Sequence, residues 1–112
     1  MQDAISLGAA EESCIGSCNA VVKATENCVD ACSREEGKGA CIWTCRDAAT
    51  LASTLASLMA RGSPHAPTVA EACADACEAA AGECREHEED AHCWACVEPL
   101  EECADACRDL AS

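Results

Sequence analysis

The sequence has no phenylalanine, no tyrosine and only two tryptophans, Trp43 and Trp94, in 112 residues. Leucine, isoleucine and valine are sparse too. An ordinary apolar core would be thin, because hydrophobic stabilisation scales with the apolar area removed from water. Basic residues are scarce: seven Lys and Arg stand against 21 Asp and Glu, for a formal net charge of −14. Nucleic acid and anionic membranes are therefore not expected partners, since binding phosphate needs basic patches. An acidic exterior attracts cations instead. No run approaches the ~20 apolar residues of a membrane span. The stretch from Met1 to Leu7 has neither a basic start nor a long apolar segment, so no secretory leader is expected and the chain reads as cytoplasmic. Its length suits one small domain, taken as residues 1–112.

What the chain does have is cysteine, thirteen in all. Ten of them form five Cys-x-x-x-Cys pairs: Cys14/Cys18, Cys28/Cys32, Cys41/Cys45, Cys73/Cys77 and Cys103/Cys107. Cys93 and Cys96 form a Cys-x-x-Cys, and Cys84 stands alone. An i,i+4 spacing puts both thiols on one face of a helix, about 5–6 Å apart at Cβ. Buried cysteine behaves as a small hydrophobe, so thiols could fill the place that leucine takes elsewhere. Metal binding could supply the remaining stability.

Four helical stretches are expected. The first ends near Ser33, before the glycine-containing segment 34–39, and begins between Asp3 and Ala10. The second covers about Ala40 to Arg61 and stops at Gly62-Ser63-Pro64. The third is expected to start at Thr68, where Thr68-Val69-Ala70-Glu71 fits a capping box, and to run to about His87. The fourth follows Asp90 as N-cap and reaches about Leu110, with Pro99 inside it as an expected kink. Short links make successive helices antiparallel. The expected fold is all-α, an up-down-up-down four-helix bundle with a cysteine-lined core. Helical spacing assigns inward positions. They are Cys14, Cys18, Val21, Thr25, Cys28 and Cys32 on the first helix, and Cys41, Cys45, Ala48, Ala52, Leu55 and Met59 on the second. The third contributes Val69, Cys73, Cys77, Ala80 and Cys84, and the fourth Cys93, Cys96, Leu100, Cys103 and Cys107. Ile15, Val22, Val29 and the tryptophans fall off this stripe and suggest self-association.

Soft thiolates select Cu(I), Zn(II) or iron–sulfur clusters. Iron–sulfur spacings are absent. Zinc favours paired knuckles on turns, and the only two-residue gap, Cys93/Cys96, lies within an expected helix. Cu(I) readily takes two or three thiolates. A near-linear S–Cu–S unit spans on the order of 4.5 Å if each bond resembles the ~2.3 Å of Zn–S, which an i,i+4 pair can reach. Disulfides are the structural alternative, but an odd cysteine count leaves one thiol over and i,i+4 pairs in one helix bridge poorly. A thiolate sink for zinc or cadmium stays open as well. His87 and His92 flank the link between the third and fourth helices, beside Cys84 and Cys93. Antiparallel packing brings Cys32 and Cys41 to the same end, which would form a metal-accepting mouth. His65 lies at the opposite end and reads as a surface residue.

Several motifs together resemble the bacterial copper storage proteins. They are Cys28-Val29-Asp30-Ala31-Cys32, Cys73-Ala74-Asp75-Ala76-Cys77 and Cys103-Ala104-Asp105-Ala106-Cys107, the run Cys41-Ile42-Trp43-Thr44-Cys45, and Cys84-x-x-His87 followed by His92-Cys93-x-x-Cys96. The resemblance covers nearly the whole chain. It implies a non-enzymatic Cu(I) store that holds many ions, with all thirteen cysteines as ligands and His87 and His92 helping at the mouth. It also implies assembly into homo-oligomers, as tetramers of bundles. Thr25, Ala80 and Leu100 depart from the richest members of that family, which place cysteines on the same stripe.

Overall fold

The computed structural model describes residues 7–112. The leader reading, apart from Leu7, and a start of the first helix as early as Asp3 lie outside the described residues. Four helices follow in order: α1 (Ala9–Cys32), α2 (Gly39–Ala60), α3 (Ala66–Arg85) and α4 (Ala91–Ala111). Each helix packs on the next, and α4 closes the ring against α1. The all-α antiparallel bundle expected from the sequence is the fold observed. Among the described residues no helix is long and apolar enough to cross a membrane.

The turns follow from local chemistry. The link between α1 and α2 uses Gly37 at φ +78°, a conformation that costs other residues a Cβ clash. After α2, Gly62 takes φ +67°. Its N–H donates to the Met59 carbonyl at 3.1 Å and the Ser63 N–H to the Leu58 carbonyl at 2.9 Å, which together make a Schellman cap.

The start of α3 differs from expectation. The helix begins at Ala66, not at Thr68, and has proline in its first turn. The Ser63 hydroxyl accepts the His65 N–H at 3.1 Å, and the Ser63 carbonyl accepts the Ala66 N–H at 3.2 Å. Pro67 has no N–H to leave unpaired there, so the chain enters the helix before Thr68 can act as a cap. Asp90 does stand at the entry to α4 with extended backbone, yet its side chain makes no capping bond. The helix runs on through Pro99.

The core matches the expected stripe position for position on α1 and α2. On α3, Ala66 and Ala70 are buried in place of Val69, which is only partly covered. Ala74 and Ala81 join that helix's inner face, and Val97 and Ala104 join that of α4. Small residues at these positions let the backbones approach closely. Ile15, Val22 and Val29 pack partly against the core, whereas Trp43 and Trp94 remain 70% and 52% exposed.

Candidate metal centre

All thirteen cysteines are buried and carry free thiols. Their sulfurs fall into two groups stacked along the bundle. The first, at the end formed by the α1–α2 and α3–α4 links, takes thiols from all four helices: Cys28, Cys32, Cys41, Cys45, Cys84, Cys93 and Cys96. Cys32 Sγ lies 3.6 Å from Cys93 Sγ and Cys28 Sγ 3.8 Å from Cys32 Sγ. Cys84 Sγ lies 3.8 Å from both Cys41 Sγ and Cys45 Sγ. Two four-sulfur sets within 4.8 Å result, Cys28/Cys32/Cys41/Cys93 and Cys28/Cys41/Cys45/Cys84. The Cys96 thiol donates to the Ala24 carbonyl at 3.3 Å.

The second group comprises Cys14, Cys18, Cys73, Cys77, Cys103 and Cys107, from α1, α3 and α4 only. Cys18 Sγ is 3.9 Å from Cys103 Sγ, Cys103 Sγ 3.9 Å from Cys107 Sγ, and Cys73 Sγ 4.0 Å from Cys77 Sγ. Cys18, Cys73, Cys103 and Cys107 form a four-sulfur set within 4.8 Å. At this level α2 offers Leu55 and Met59, both buried. They make an apolar plug on this side of the bundle.

Packed thiols share protons unequally. Burial pushes up the pKa of Cys41 and of Cys93. The hydrogen bond with Cys107, with burial adding to it, pushes Cys14 up to about 11. Sulfurs that accept from neighbouring thiols go the other way. Hydrogen bonding from Cys45 leads in pulling Cys28 down to about 6, and that from Cys103 leads in pulling Cys107 down to about 5. Each group thus holds at least one thiol readied to lose its proton amid others that keep theirs. A soft cation binding at either group displaces the thiol protons.

The first group lies under a polar rim. His92 Nε2 is 3.2 Å from Glu35 Oε1, and the His92 ring falls within 4.8 Å of Cys32 with Glu35, and of Cys93 with Asp90. His87 is half-buried at this end. Its N–H donates to the Cys84 carbonyl at 3.1 Å, and its carbonyl accepts from Asp90 at 2.9 Å. His65 is exposed at the far end.

Sequence reasoning missed Lys38. It is only 7% exposed and ties the two links together. Its ammonium lies 2.7 Å from Glu35 Oε1 and pairs with the Asp90 carboxylate. Those two contacts, Asp90 first, raise the pKa of Lys38 above the usual lysine range and hold the pKa of both carboxylates below theirs. The only hint in the sequence is a lysine between two glycines in an acidic chain.

Comparison with known proteins bears on what this core does. The family model for copper storage proteins matches residues 8–112. The chain belongs to the copper storage protein family. A curated relative, the uncharacterized cysteine-rich protein YhjQ of Bacillus subtilis (strain 168), is 34% identical over 104 residues, covering 90% of this chain and 95% of its own. Copper storage protein 3 of Bacillus subtilis has been solved both metal-free and with Cu(I) bound. The Cu(I)-bound form is 33% identical, with a TM-score of 0.85 over 92% of this chain and 99% of its own. A cytosolic copper storage protein from Streptomyces lividans carrying five coppers is 31% identical, with a TM-score of 0.86 over 91% of this chain and 92% of its own. At this level of identity and coverage, the family's four-helix scaffold is held along nearly the whole chain.

Proposed function

We propose that this chain is a non-enzymatic Cu(I) store of the cytosol. The thirteen cysteines serve as ligands, and His87 and His92 assist at the mouth. The observation that carries this reading is the burial of every cysteine inside one bundle, with most of the sulfurs, all but those of Cys14 and Cys96, in contact with another at 3.6–4.0 Å. Bringing two such sulfurs to the ~4.5 Å span of a near-linear S–Cu–S unit requires sub-ångström to one-ångström shifts, since each bond is about 2.3 Å. Soft thiolates in a dry interior favour Cu(I) over hard cations, and sequestration there keeps it from other thiols. The copper held by solved relatives supports the choice of ion, and the cytosolic relative supports the compartment. Residues 1–112 act as one metal-binding domain. The exposed Trp43 and Trp94 suit contacts between copies, in keeping with a homo-oligomer.

A zinc or cadmium sink is the second reading, and the four-sulfur sets favour it. Sulfurs on a tetrahedral Zn(II) with bonds of ~2.3 Å lie about 3.8 Å apart, close to the spacings seen. Cys28/Cys32/Cys41/Cys93 and Cys28/Cys41/Cys45/Cys84 share two sulfurs, so the two cannot each hold a separate tetrahedral ion. Anaerobic titration of reduced, metal-free protein with Cu(I) against a competing chelator decides the matter. Uptake near one ion per cysteine supports the store. Saturation at one or two Cu(I), with tighter uptake of two or three Zn(II), overturns it.

A further inference from the structure

The two sulfur groups are separated by a belt that holds no soft ligand. Its members are Val21, Ala48, Ala80 and Leu100, all fully buried, together with Thr25. The Thr25 hydroxyl is turned back onto its own helix and donates to the Val21 carbonyl at 2.7 Å. Among the described residues every sulfur–sulfur hydrogen bond lies within one group. The separation is large. Cys77 to Cys84 and Cys96 to Cys103 are each seven residues of helix, or about 10 Å at 1.5 Å per residue. On α1 the step from Cys18 to Cys28 is about 15 Å. On α2 no cysteine lies beyond Cys45.

Cu(I) moves between thiolates by exchange. A bond to the incoming sulfur forms before the bond to the outgoing one breaks, and the proton of the incoming thiol passes to the departing thiolate. One copper can bridge two sulfurs only while they are within about 4.6 Å, twice a bond of ~2.3 Å. Inside either group that condition is nearly met already. Across the belt the flanking cysteines of α3 and of α4 are about 10 Å apart along the helix, no sulfur–sulfur hydrogen bond crosses it, and no intermediate sulfur shortens the step. A bare Cu(I) in the belt would leave its soft ligands for hydrocarbon and one hydroxyl oxygen, a poor match.

We infer that the core is two stores in series: an outer compartment of seven thiols that exchanges copper at the mouth, and an inner reserve of six whose exchange is limited by the Leu100 belt. This rests on the Cu(I)-store reading above. The outer group lies directly under the His92, Glu35 and Asp90 rim, so it meets incoming metal first. Exchange with the reserve waits on opening of packed helices at the belt. A single chain thereby combines a buffer that responds quickly with a holding that resists depletion.

The test is chelator-driven release from fully loaded protein, followed in time, with alkylation and mass spectrometry to locate freed thiols. Two phases are expected. The fast one should carry about half of the copper and free Cys28, Cys32, Cys41, Cys45, Cys84, Cys93 and Cys96. The slow one should free the other six. Leu100→Cys adds a sulfur at the gap and should speed the slow phase at least tenfold. Ala80→Cys, a smaller change to packing, should do the same if Leu100→Cys folds poorly. Leu100→Ala opens space without a ligand and should not match either. Single-phase release from a full core, inner thiols freed first, or equal acceleration by Leu100→Ala and the cysteine variants would each overturn the partition. A wild-type chain that never takes up more than one or two Cu(I) fails earlier, and sinks the store reading itself.

Discussion

The outer and inner sulfur groups are built from the same local unit but from different walls. Both use Cys-x-x-x-Cys pairs, and the repeated Cys-(Val/Ala)-Asp-Ala-Cys occurs in each: once at Cys28–Cys32 in the outer group, and at Cys73–Cys77 and Cys103–Cys107 in the inner. The outer group draws sulfur from four helices and opens under a charged rim. The inner group draws from three, and its fourth wall is the Leu55 and Met59 side of α2. The difference assigns labour along one bundle. Where α2 supplies Cys41 and Cys45 the core can exchange metal, and where it supplies leucine the core is held together by ordinary apolar burial. A chain without Phe or Tyr keeps its largest buried side chains, Leu55, Leu100 and Val21, at the reserve end and at the belt.

The comparison can be broken most severely by emptying one side. Replacing Cys14, Cys18, Cys73, Cys77, Cys103 and Cys107 with alanine should remove close to half of the Cu(I) capacity and leave the early uptake rate unchanged, as read by chelator competition and stopped-flow. An equal loss of early rate would show that the groups do not act separately. Next comes the apolar wall. Leu55 is fully buried, and Leu55→Ala should cost about 2–5 kcal/mol of metal-free stability in denaturant unfolding with no loss of copper capacity.

Alkali should separate the metal-free from the loaded protein. Most of the shifted thiols move upward on folding, Cys14 from 9.0 to about 11. A raised thiol contributes stability that is full below pH 9 and is lost as pH rises through about 11. The melting temperature of the metal-free chain should therefore fall between pH 9 and 11. The copper-loaded chain, whose thiolates have no protons left to lose, should stay level over the same window. Smallest is the rim. Lys38→Met removes the ammonium that links Glu35 to Asp90, leaving two carboxylates facing each other. It should lower the melting temperature by a few degrees and alter exchange from the outer group alone; an altered slow phase would contradict the partition.

Much of this architecture is legible in the sequence because cysteine here obeys helical spacing as leucine would. The inner faces of α1 and α2 follow residue by residue from the interval between Cys14 and Cys32 and from that between Cys41 and Met59. The start of α3 does not, because a capping box at Thr68 competes with a proline-led turn set by Ser63, and the earlier signal wins. That earlier start buries Ala66 and Ala70, with Val69 left at the flank. Lys38 is hidden from sequence for a different reason. Its burial depends on two links, distant in the chain, meeting over the mouth. Thr25, Ala80 and Leu100 stand out as positions lacking cysteine, but that such positions part the sulfurs into two groups becomes visible only when the sulfur contacts are mapped.

The most direct measurement is a copper-edge anomalous map of crystals of the fully loaded protein. The account predicts copper in the core as two groups, liganded by the outer seven and inner six sulfurs, with none at the level of Leu100. An unbroken file of copper through that level would contradict the two-store core, and a core without copper would contradict storage altogether.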